Sequence, residues 1–330
     1  MVYIESNCVD PRWNLALEEY VFTQMPTNQS YFMLWQNRNT IVIGKNQNTI
    51  AEINSEYVKE HDIQVVRRLS GGGAVYHDLG NLNFTFITDA EKADEIDFAK
   101  FCVPVVQTLH SFGVPAEING RNDMTIHGKK FSGNAQYVQK CRVLHHGTIL
   151  FSSDSGVISQ ALHANKEKLQ SKGIASVSSR VCNIADFLPE DISLDAFKAA
   201  LVRNVMKTET PDVYKFSPEQ INAVEQIKKN RYDLWEWNYG HSPRYEIMKA
   251  KRFQGCGIVE VSMNVSKGVI QSIRFTGDFF NIDNVEQLCR ILIGTAVNKI
   301  ALTDRLRDVC VERYVKGLST QQLIELLSEG

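Results

Sequence analysis

Residues 67–78 read Arg-Arg-Leu-Ser-Gly-Gly-Gly-Ala-Val-Tyr-His-Asp, and the rest of the chain is organised around this stretch. The preceding residues, 63–66, are rich in β-branched side chains and predict a short strand. The following residues, 82–87, alternate in polarity and predict a second strand. Consecutive glycines between strands permit backbone torsions closed to other residues and let a ligand lie against main-chain N–H groups.

Two arginines, Arg67 and Arg68, stand directly before the glycines. Their guanidinium groups supply fixed positive charge and forked donors that suit a phosphate or a carboxylate. The alternative interpretation is a flexible hairpin tip with two solvated arginines. The stretch is not a P-loop, because no Gly-Lys-Ser/Thr follows and the next element is a strand. It also lacks the G-x-G-x-x-G spacing of dinucleotide-binding proteins. The arginine pair favours an anion-binding turn.

A second group of motifs follows about forty-five residues later, with Gly-Arg-Asn-Asp at 120–123 and Lys-Phe-Ser-Gly at 130–133. Together with residues 67–78, these motifs resemble the lipoate–protein ligase family. The Asn-Asp and Lys-x-x-Gly elements are also similar to those of the biotin ligases, which share the fold. Further matches run through most of the chain, at 145–148, 173–177, 179–181 and 235–240.

The resemblance implies an α/β (α+β) fold of the biotin/lipoate ligase type, similar to class II synthetases, with a mixed or antiparallel sheet flanked by helices. It also implies a small α+β accessory domain at the C-terminus. We therefore expect a catalytic domain that binds lipoate and ATP at 1–246 and an accessory domain at 247–330. In the accessory domain the pattern predicts two strands and three helices, at 257–265, 269–275, 284–293, 297–308 and 318–328.

In the catalytic domain, Asp10 and Pro11 are typical of a helix start, and apolar spacing predicts a helix over 11–25. Its two glutamates, Glu18 and Glu19, are interpreted as a solvated face. The polar segment 163–180 is long for a plain connection and predicts a functional or mobile loop. The remaining predictions are strands at 2–4, 31–35 and 40–44, consecutive strands over 116–151, and helices at 54–61, 96–112, 193–207 and 218–229.

The reaction implied by the resemblance has two steps. Lipoate and ATP first give lipoyl-adenylate and pyrophosphate, and the lysine amine of an acceptor domain then displaces AMP. Lys130 matches the family's catalytic lysine and is expected to contact both the acyl group and the α-phosphate. The ATP-binding residues implied are Arg68, Gly73, Ala74, Val75, Tyr76 and Lys130. The lipoate-binding residues implied are Ser70, Gly72, His146 and Lys130.

Several of these residues also have simpler interpretations. Sequence alone does not rank Lys130 above the solvated Lys129; the motif register does. Asn-Asp is a common turn dipeptide, but the downstream lysine makes Asp123 a candidate ligand for Mg²⁺ bound with ATP. Next to Asp78, His77 is expected to be a hydrogen-bonded structural histidine. Ser70 could instead cap its turn.

Composition limits the class of protein. A net charge of −2 argues against bulk nucleic-acid binding, and no apolar run reaches the length of a membrane span. The N-terminus lacks the pattern of a secretory signal, and the scattered cysteines form no disulfide or zinc framework. We therefore expect a cytoplasmic enzyme. The expected acceptors are lipoyl domains of 2-oxoacid dehydrogenase acyltransferase subunits, or the glycine-cleavage H protein.

Three alternatives remain at this point. A biotin ligase is disfavoured, because the glycine stretch is of the lipoate type and the chain carries the extra C-terminal module. An acyl transferase of the same fold would need an activated cysteine, and Cys141 and Cys182 are the nearest candidates to the motifs. A non-catalytic ligand-binding protein would be favoured by loss of Lys130 or of the glycines, and both are present.

Overall fold

The structure, a computed structural model, describes residues 1–89, 97–120, 122–162, 180–190, 192–239 and 247–328. These residues divide into two compact units. The first unit comprises Met1–Ile43, Thr49–Arg68 and Val75–Tyr239. The second unit comprises Gly44–Asn48, Leu69–Ala74 and the described part of 240–330. The loop predicted at 163–180 and the motif at 173–177 lie outside the described residues, apart from Arg180. Residues 240–246, before the expected domain boundary, also lie outside them.

Ten strands of the first unit form two sheets. A seven-stranded sheet has the order β1-β2-β6-β10-β9-β8-β7, in which β1 and β2 are parallel and the other pairs are antiparallel. A smaller sheet has the order β4-β3-β5. The strands are β1 (Val2–Glu5), β2 (Tyr31–Trp35), β3 (Thr40–Ile43), β4 (Gln64–Arg67), β5 (Val75–His77), β6 (Asn81–Asp89), β7 (Ala116–Asn119), β8 (Asp123–Ile126), β9 (Lys129–Gln139) and β10 (Arg142–Leu150).

Helix α1 (Pro11–Gln24) begins at the cap that the sequence predicts, and α7 (Pro218–Ile227) begins at a cap that was not predicted. Asp10 accepts a hydrogen bond from the Arg12 amide ahead of α1, and Ser217 forms a capping box with Gln220 ahead of α7. A π-helical turn, Lys228–Tyr232, continues α7. The helices are α1 (Pro11–Gln24), α2 (Thr49–Glu52), α3 (Ser55–Glu60), α4 (Ala99–Ser111), α5 (Ser155–Ala161), α6 (Leu194–Met206), α7 (Pro218–Ile227) and α8 (Trp235–Asn238), with a 3₁₀ turn at Ile184–Asp186.

The two faces of the large sheet are covered differently. On one face, alternate residues of β6 such as Phe84 and Phe86 pack against α4 and α6 in an apolar core. On the other face, Ile87 and Leu144 pack against α1 in a second core. The side chains next to them on that face include buried polar groups, Thr85 and His146 among them. Buried polar groups are thus present on the second face, and the first face also holds His145, which stacks on Phe101 of α4.

The prediction that Glu18 and Glu19 form a solvated face is wrong. Their relative exposures are 1% and 8%. Helix α1 lies between the large sheet and α7, and every residue from Leu15 to Phe22 is buried. A helix buried all round has no solvent face to give its charged residues, so both carboxylates depend on partners inside the protein.

The second unit has its own apolar core. Its strands β11 (Ile247–Phe253), β12 (Gly257–Ser266) and β13 (Val269–Gly277) form a three-stranded antiparallel sheet. Its helices are α9 (Val285–Leu292), α10 (Lys299–Leu306), α11 (Val311–Tyr314) and α12 (Thr320–Ser328). The predicted strands and helices are confirmed, but the sequence reading missed β11, an edge strand with mainly exposed residues that include three basic side chains.

Among the described residues, no helix combines the length and the hydropathy needed to cross a membrane.

Candidate active site

Lys130 lies at the start of β9, and its ammonium group contacts a carboxylate on the adjacent strand. The Lys130 Nζ atom is 2.7 Å from Asp123 Oδ1, and the two side chains are 38% and 39% exposed. The Lys130 backbone pairs with a second segment: its N–H donates to the Arg180 carbonyl, and its carbonyl accepts from the Cys182 N–H. Lys129, by contrast, is exposed, in agreement with its interpretation as a solvated lysine.

An irregularity in strand pairing sets the direction of the Lys130 side chain. Met124 pairs with Ser132 while Thr125 pairs with Lys130, so Phe131 has no opposite residue. Such a bulge changes the alternation of side chains along a strand. As a result, Lys130 reaches over Gly133: a Cβ atom at Gly133 would lie 2.9 Å from Lys130 Nζ. The glycine of the Lys-Phe-Ser-Gly motif therefore makes room for the lysine.

The two side chains of the Asn-Asp dipeptide have different roles: Asn122 connects two strands, and Asp123 contributes a negative charge. Asn122 Nδ2 donates to the Asn134 carbonyl at 2.7 Å, and Asn134 Nδ2 donates back to the Asn122 carbonyl at 3.2 Å. These bonds fix β8 against β9, where Asp123 pairs with Gly133. These bonds do not involve the Asp123 carboxylate, which faces Lys130.

The glycine turn, Leu69–Ala74, belongs to the second unit. A Cβ atom at Gly71 would lie 2.4 Å from the Phe279 carbonyl oxygen, and the positive φ of Gly72 favours glycine. Gly73 differs from both, because its φ is not positive and a Cβ atom there would meet no atom within 4 Å. Nothing in the described chain thus requires glycine at 73, and the space beside its backbone is open.

The other predicted binding residues of this stretch have definite positions. Ser70 is fully buried and its carbonyl accepts from the Lys45 N–H at 2.8 Å. Ala74 and Val75 are partly exposed. Tyr76 is 7% exposed and its hydroxyl donates to Asn39, while burial raises the pKa of Tyr76 to about 12. Tyr76 can therefore offer a ligand its main chain rather than its hydroxyl.

The two arginines before the glycines have separate environments. Arg67 is clamped to α8, because its Nε donates to the Trp237 carbonyl at 2.9 Å and Trp237 Nε1 donates back to the Arg67 carbonyl at 2.8 Å. Arg68 is 5% exposed and donates through Nη1 to the Val42 carbonyl. Burial lowers the pKa of Arg68 to about 10, and the nearby Glu18 carboxylate opposes that shift. Arg67 is thus structural, and Arg68 places a cation in the interior.

A buried hydrogen-bond chain runs from Glu18 to the centre of the large sheet. Glu18 Oε1 accepts from Thr85 Oγ1 at 2.7 Å and lies 2.9 Å from His146 Nδ1. Trp35 Nε1 donates to Thr85 Oγ1 at 3.0 Å. His146, a predicted lipoate-binding residue, is therefore oriented by a carboxylate that the sequence reading assigned to solvent. No local sequence signal could have found this pairing, because Glu18 and His146 lie 128 residues apart.

Three further buried polar atoms near Trp35 have no hydrogen-bond partner within the described protein: His77 Nε2, Asn81 Oδ1 and Asn83 Nδ2. The His77 ring lies 6.1 Å from Trp35, and Asn83 pairs with Trp35 across β2 and β6. Buried polar atoms without protein partners are uncommon and indicate water or a ligand. As predicted, His77 is hydrogen-bonded inside the protein, since Asn37 Nδ2 donates to its Nδ1.

Two alternative kinds of chemistry, catalysis at a metal cluster and catalysis by an activated cysteine, gain no support from the geometry. Among the described residues, no group of three or more His, Cys, Asp or Glu side chains could hold a metal ion. Burial raises the pKa of the Cys182 thiol, which opposes its activation as a thiolate. A cavity of about 500 Å³ opens elsewhere in the first unit, between α1 and α7, and its lining contains none of the predicted site residues.

The sequence matches two family models in order. One, described as the lipoyl protein ligase A/B catalytic domain, matches residues 10–206. The other, described as the bacterial lipoate protein ligase C-terminus, matches residues 242–327. The chain is 42% identical to lipoate-protein ligase LplJ of Bacillus subtilis, over 99% of this chain and 100% of that protein. It is 40% identical to lipoate–protein ligase 1 of Staphylococcus aureus, over 98% of each chain.

Solved structures agree with the sequence matches. The crystal structure of Plasmodium falciparum LipL1 in complex with lipoate superposes with a TM-score of 0.80, at 26% identity over 99% of this chain and 98% of that one. Lipoate-protein ligase A bound with ATP gives 0.60 at 26% identity, over 72% and 97%. A bi-partite lipoate protein ligase of Thermoplasma acidophilum, studied with its E2 lipoyl domain, gives 0.63 at 28% identity, over 74% and 98%.

These neighbours define the class of fold, the biotin/lipoate ligase type, with a mixed sheet flanked by helices and a smaller C-terminal domain. The fold prediction is confirmed. Because both family models match, and because identity to a curated relative exceeds 40% over the full chain, the chain belongs to the lipoate–protein ligase family in its two-domain form. The exact boundary expected at 246/247 stays a prediction.

Proposed function

We propose that this protein is an ATP-dependent lipoate–protein ligase that uses Lys130 as its catalytic residue. The lipoate carboxylate oxygen attacks the α-phosphorus of ATP, the bond to the β-phosphate breaks, and pyrophosphate leaves. The lysine amine of an acceptor domain then attacks the acyl carbon of lipoyl-adenylate, and AMP leaves with the bonding electrons. The observation that carries the proposal is the 42% identity to LplJ over the whole of both chains.

The first step brings a carboxylate anion against a polyanionic nucleotide, so its main requirement is fixed positive charge. A preorganised donor at developing charge contributes roughly 10²–10³ in rate. Lys130 supplies such a charge, and its position is supported by the bulge at Phe131 and by the space above Gly133. Arg68 adds a second cation, which burial keeps in a defined place.

The remaining roles follow the family register. ATP contacts Arg68, Lys130 and the main chain at 73–76, and the open space at Gly73 supports a close approach there. Lipoate contacts Ser70, Gly72, His146 and Lys130. The orientation of His146 by Glu18 supports its role, because the hydrogen bond fixes the position of the imidazole ring.

Mg²⁺ fits these residues only in part. Mg²⁺ bound with a nucleotide commonly takes one or two carboxylates and completes its shell with phosphate oxygens and water. Asp123 is one such carboxylate, but Lys130 lies against it at 2.7 Å. The contact with Lys130 opposes metal binding by Asp123, the candidate ligand, and the two reaction steps do not depend on the ion.

The acceptors proposed are lipoyl domains of 2-oxoacid dehydrogenase acyltransferase subunits or the glycine-cleavage H protein. The Thermoplasma ligase studied with its E2 lipoyl domain supports this class of partner. We also propose that the enzyme acts in the cytoplasm.

The test is adenylate formation without an acceptor. Purified protein is incubated with lipoate, labelled ATP and Mg²⁺, and both pyrophosphate release and protein-bound lipoyl-adenylate are measured. Lys130→Ala is expected to lower the rate by about 10²–10³, because the fixed charge is lost. The matched control is Lys129→Ala, which removes an exposed charge from the adjacent position and is expected to leave the rate unchanged.

Normal adenylate formation by Lys130→Ala would remove Lys130 from its role. Absence of adenylate from the unmodified protein, together with transfer of a labelled acyl group from an acyl thioester donor onto Cys141 or Cys182 in a parallel incubation, would instead support the transferase.

A further inference from the structure

The backbone on each side of the Lys130–Asp123 ion pair is held in place by hydrogen bonds within the first unit. Asn122 and Asn134 exchange side-chain-to-carbonyl hydrogen bonds on one side of Asp123. On the other side, the Lys130 backbone is paired with Arg180 and Cys182. A change at this ion pair must therefore occur through side-chain rotation rather than through movement of the strands.

Two independent features select the same position for the ammonium group. The Asp123 carboxylate attracts it at 2.7 Å, and the missing side chain at Gly133 leaves the space in which it lies. With a positive charge and a carboxylate in contact, the net charge that Lys130 presents to an incoming anion is reduced. The catalytic cation is thus partly neutralised before any nucleotide binds.

The pair is exposed enough to exchange partners. Both side chains are more than one third exposed, and ion pairs at such sites are weak because water and salt screen them. A nucleotide carries several negative charges and offers the ammonium group a stronger electrostatic partner than one carboxylate does.

We propose that Asp123 is a resting counterion that holds Lys130 over Gly133 and competes with the nucleotide phosphate for its ammonium group. This inference rests on the proposed function of Lys130. Asp123 is a positioning residue: it acts on the reaction through Lys130, and it releases the lysine when ATP binds.

The competition predicts a specific change in Asp123→Asn. This variant is expected to bind ATP about two- to fivefold more tightly, the range that an exposed ion pair can supply. The kcat for adenylate formation does not rise, because the added attraction is already made in the bound ground state. Asp123→Glu, which keeps the charge, is expected to restore weaker binding.

The measurement is calorimetric titration of the full-length protein with ATP, without lipoate, in the presence and absence of MgCl₂. The matched control is Glu117→Gln, which removes one negative charge from the neighbouring strand β7 without touching Lys130, and whose ATP affinity is expected to stay unchanged. In a Lys130→Ala background, Asp123→Asn is expected to have no effect on ATP affinity, because the competition requires both residues.

Three outcomes overturn the inference. Equal tightening in Glu117→Gln would assign the effect to net charge. Tightening that persists in the Lys130→Ala background would show that Asp123 repels ATP directly. Weaker ATP binding by Asp123→Asn only with Mg²⁺ would make Asp123 a metal ligand instead. Each outcome leaves the proposed ligase function standing as long as the unmodified protein forms lipoyl-adenylate.

Discussion

At the residue scale, neighbouring glycines of the Leu69–Ala74 turn meet different constraints. A side chain at Gly71 would collide with the Phe279 carbonyl oxygen, which belongs to the backbone and cannot rotate away. A side chain at Gly73 would enter open space. The same residue type is therefore required for packing at one position, and at the other it leaves room for something outside the chain.

This difference predicts that alanine at position 73 weakens ATP binding, whereas alanine at position 71 lowers stability. Gly73→Ala is expected to keep the thermal stability and to raise KM for ATP about tenfold, a loss of about 1.4 kcal/mol of binding. Gly71→Ala is expected to destabilise the second unit by about 1–3 kcal/mol, the usual cost of overpacking. Calorimetric unfolding and steady-state adenylation measure the two effects. An unchanged KM in Gly73→Ala would show that no ligand lies against this backbone.

His77 is buried in its neutral form. It is 2% exposed, and burial, followed by the nearby Arg68 charge, lowers the pKa of His77 to about 3. In the unfolded chain this histidine binds a proton near its ordinary pKa of 6.5. The unfolded state therefore binds more protons than the folded state between pH 6.5 and 3, and the stability that neutral His77 provides is lost as the pH falls through that window.

We expect the free energy of unfolding of the first unit to fall below pH 6.5 by up to about 1.4 kcal/mol per pH unit for this histidine. His145 is also fully buried, and burial lowers its pKa as well, so it adds to the slope. Urea unfolding can be followed by tryptophan fluorescence, because all four tryptophans, at 13, 35, 235 and 237, lie in the first unit. His77→Gln is expected to reduce the slope; an unchanged slope would mean that His77 titrates normally in the folded protein.

At the scale of single elements, periodicity predicted strands and helices well and the environment of α1 poorly. Alternation located β6, and Asp10 with Pro11 located the start of α1. The same pattern assigned Glu18 to solvent, because charge is normally a surface property. Burial of Glu18 depends on Thr85 and His146, which come from strands far along the chain, and no local pattern contains that information.

The bulge in β9 was also beyond sequence reasoning. The Lys-Phe-Ser-Gly motif predicted that a lysine and a glycine belong together, but regular alternation would place residues three apart on opposite faces. The pairing of both Thr125 with Lys130 and Met124 with Ser132 removes Phe131 from the register and resolves this conflict.

The short helix α8 depends on Arg67 and supplies a prediction at this scale. Arg67 is 6% exposed and donates to the Trp237 carbonyl, to Thr49 Oγ1 and to the Asn238 carbonyl. Arg67→Ala is expected to destabilise the first unit by about 3 kcal/mol, because buried acceptors lose charge-assisted hydrogen bonds. The control is Arg38→Ala, at an exposed position, with an expected change within about 0.5 kcal/mol.

Tryptophan fluorescence in urea measures both variants, and Trp237 itself reports on the clamp. Equal midpoints for Arg67→Ala and Arg38→Ala would show that α8 is held by its other contacts, including the Asn238 side chain that accepts from the Arg67 N–H.

At the scale of the whole molecule, motif order predicted the family and the two-part organisation, while two details escaped it. Strand β11 was missed because an edge strand with exposed basic residues carries little apolar alternation. The membership of Gly44–Asn48 and Leu69–Ala74 in the second unit was missed because it depends on contacts with residues around 277–281. Local sequence patterns predict single helices and strands, but they do not predict contacts between residues far apart in the chain.

That membership has a consequence for how the protein is made. The Gly72 N–H donates to the Phe279 carbonyl, which follows it by 207 residues. At a synthesis rate of about 5–20 residues per second, the glycine segment leaves the ribosome roughly 10–40 s before its packing partner exists. During that interval the glycine segment lacks the residues against which it packs in the folded protein, so a segment translated later completes the packing of one translated earlier.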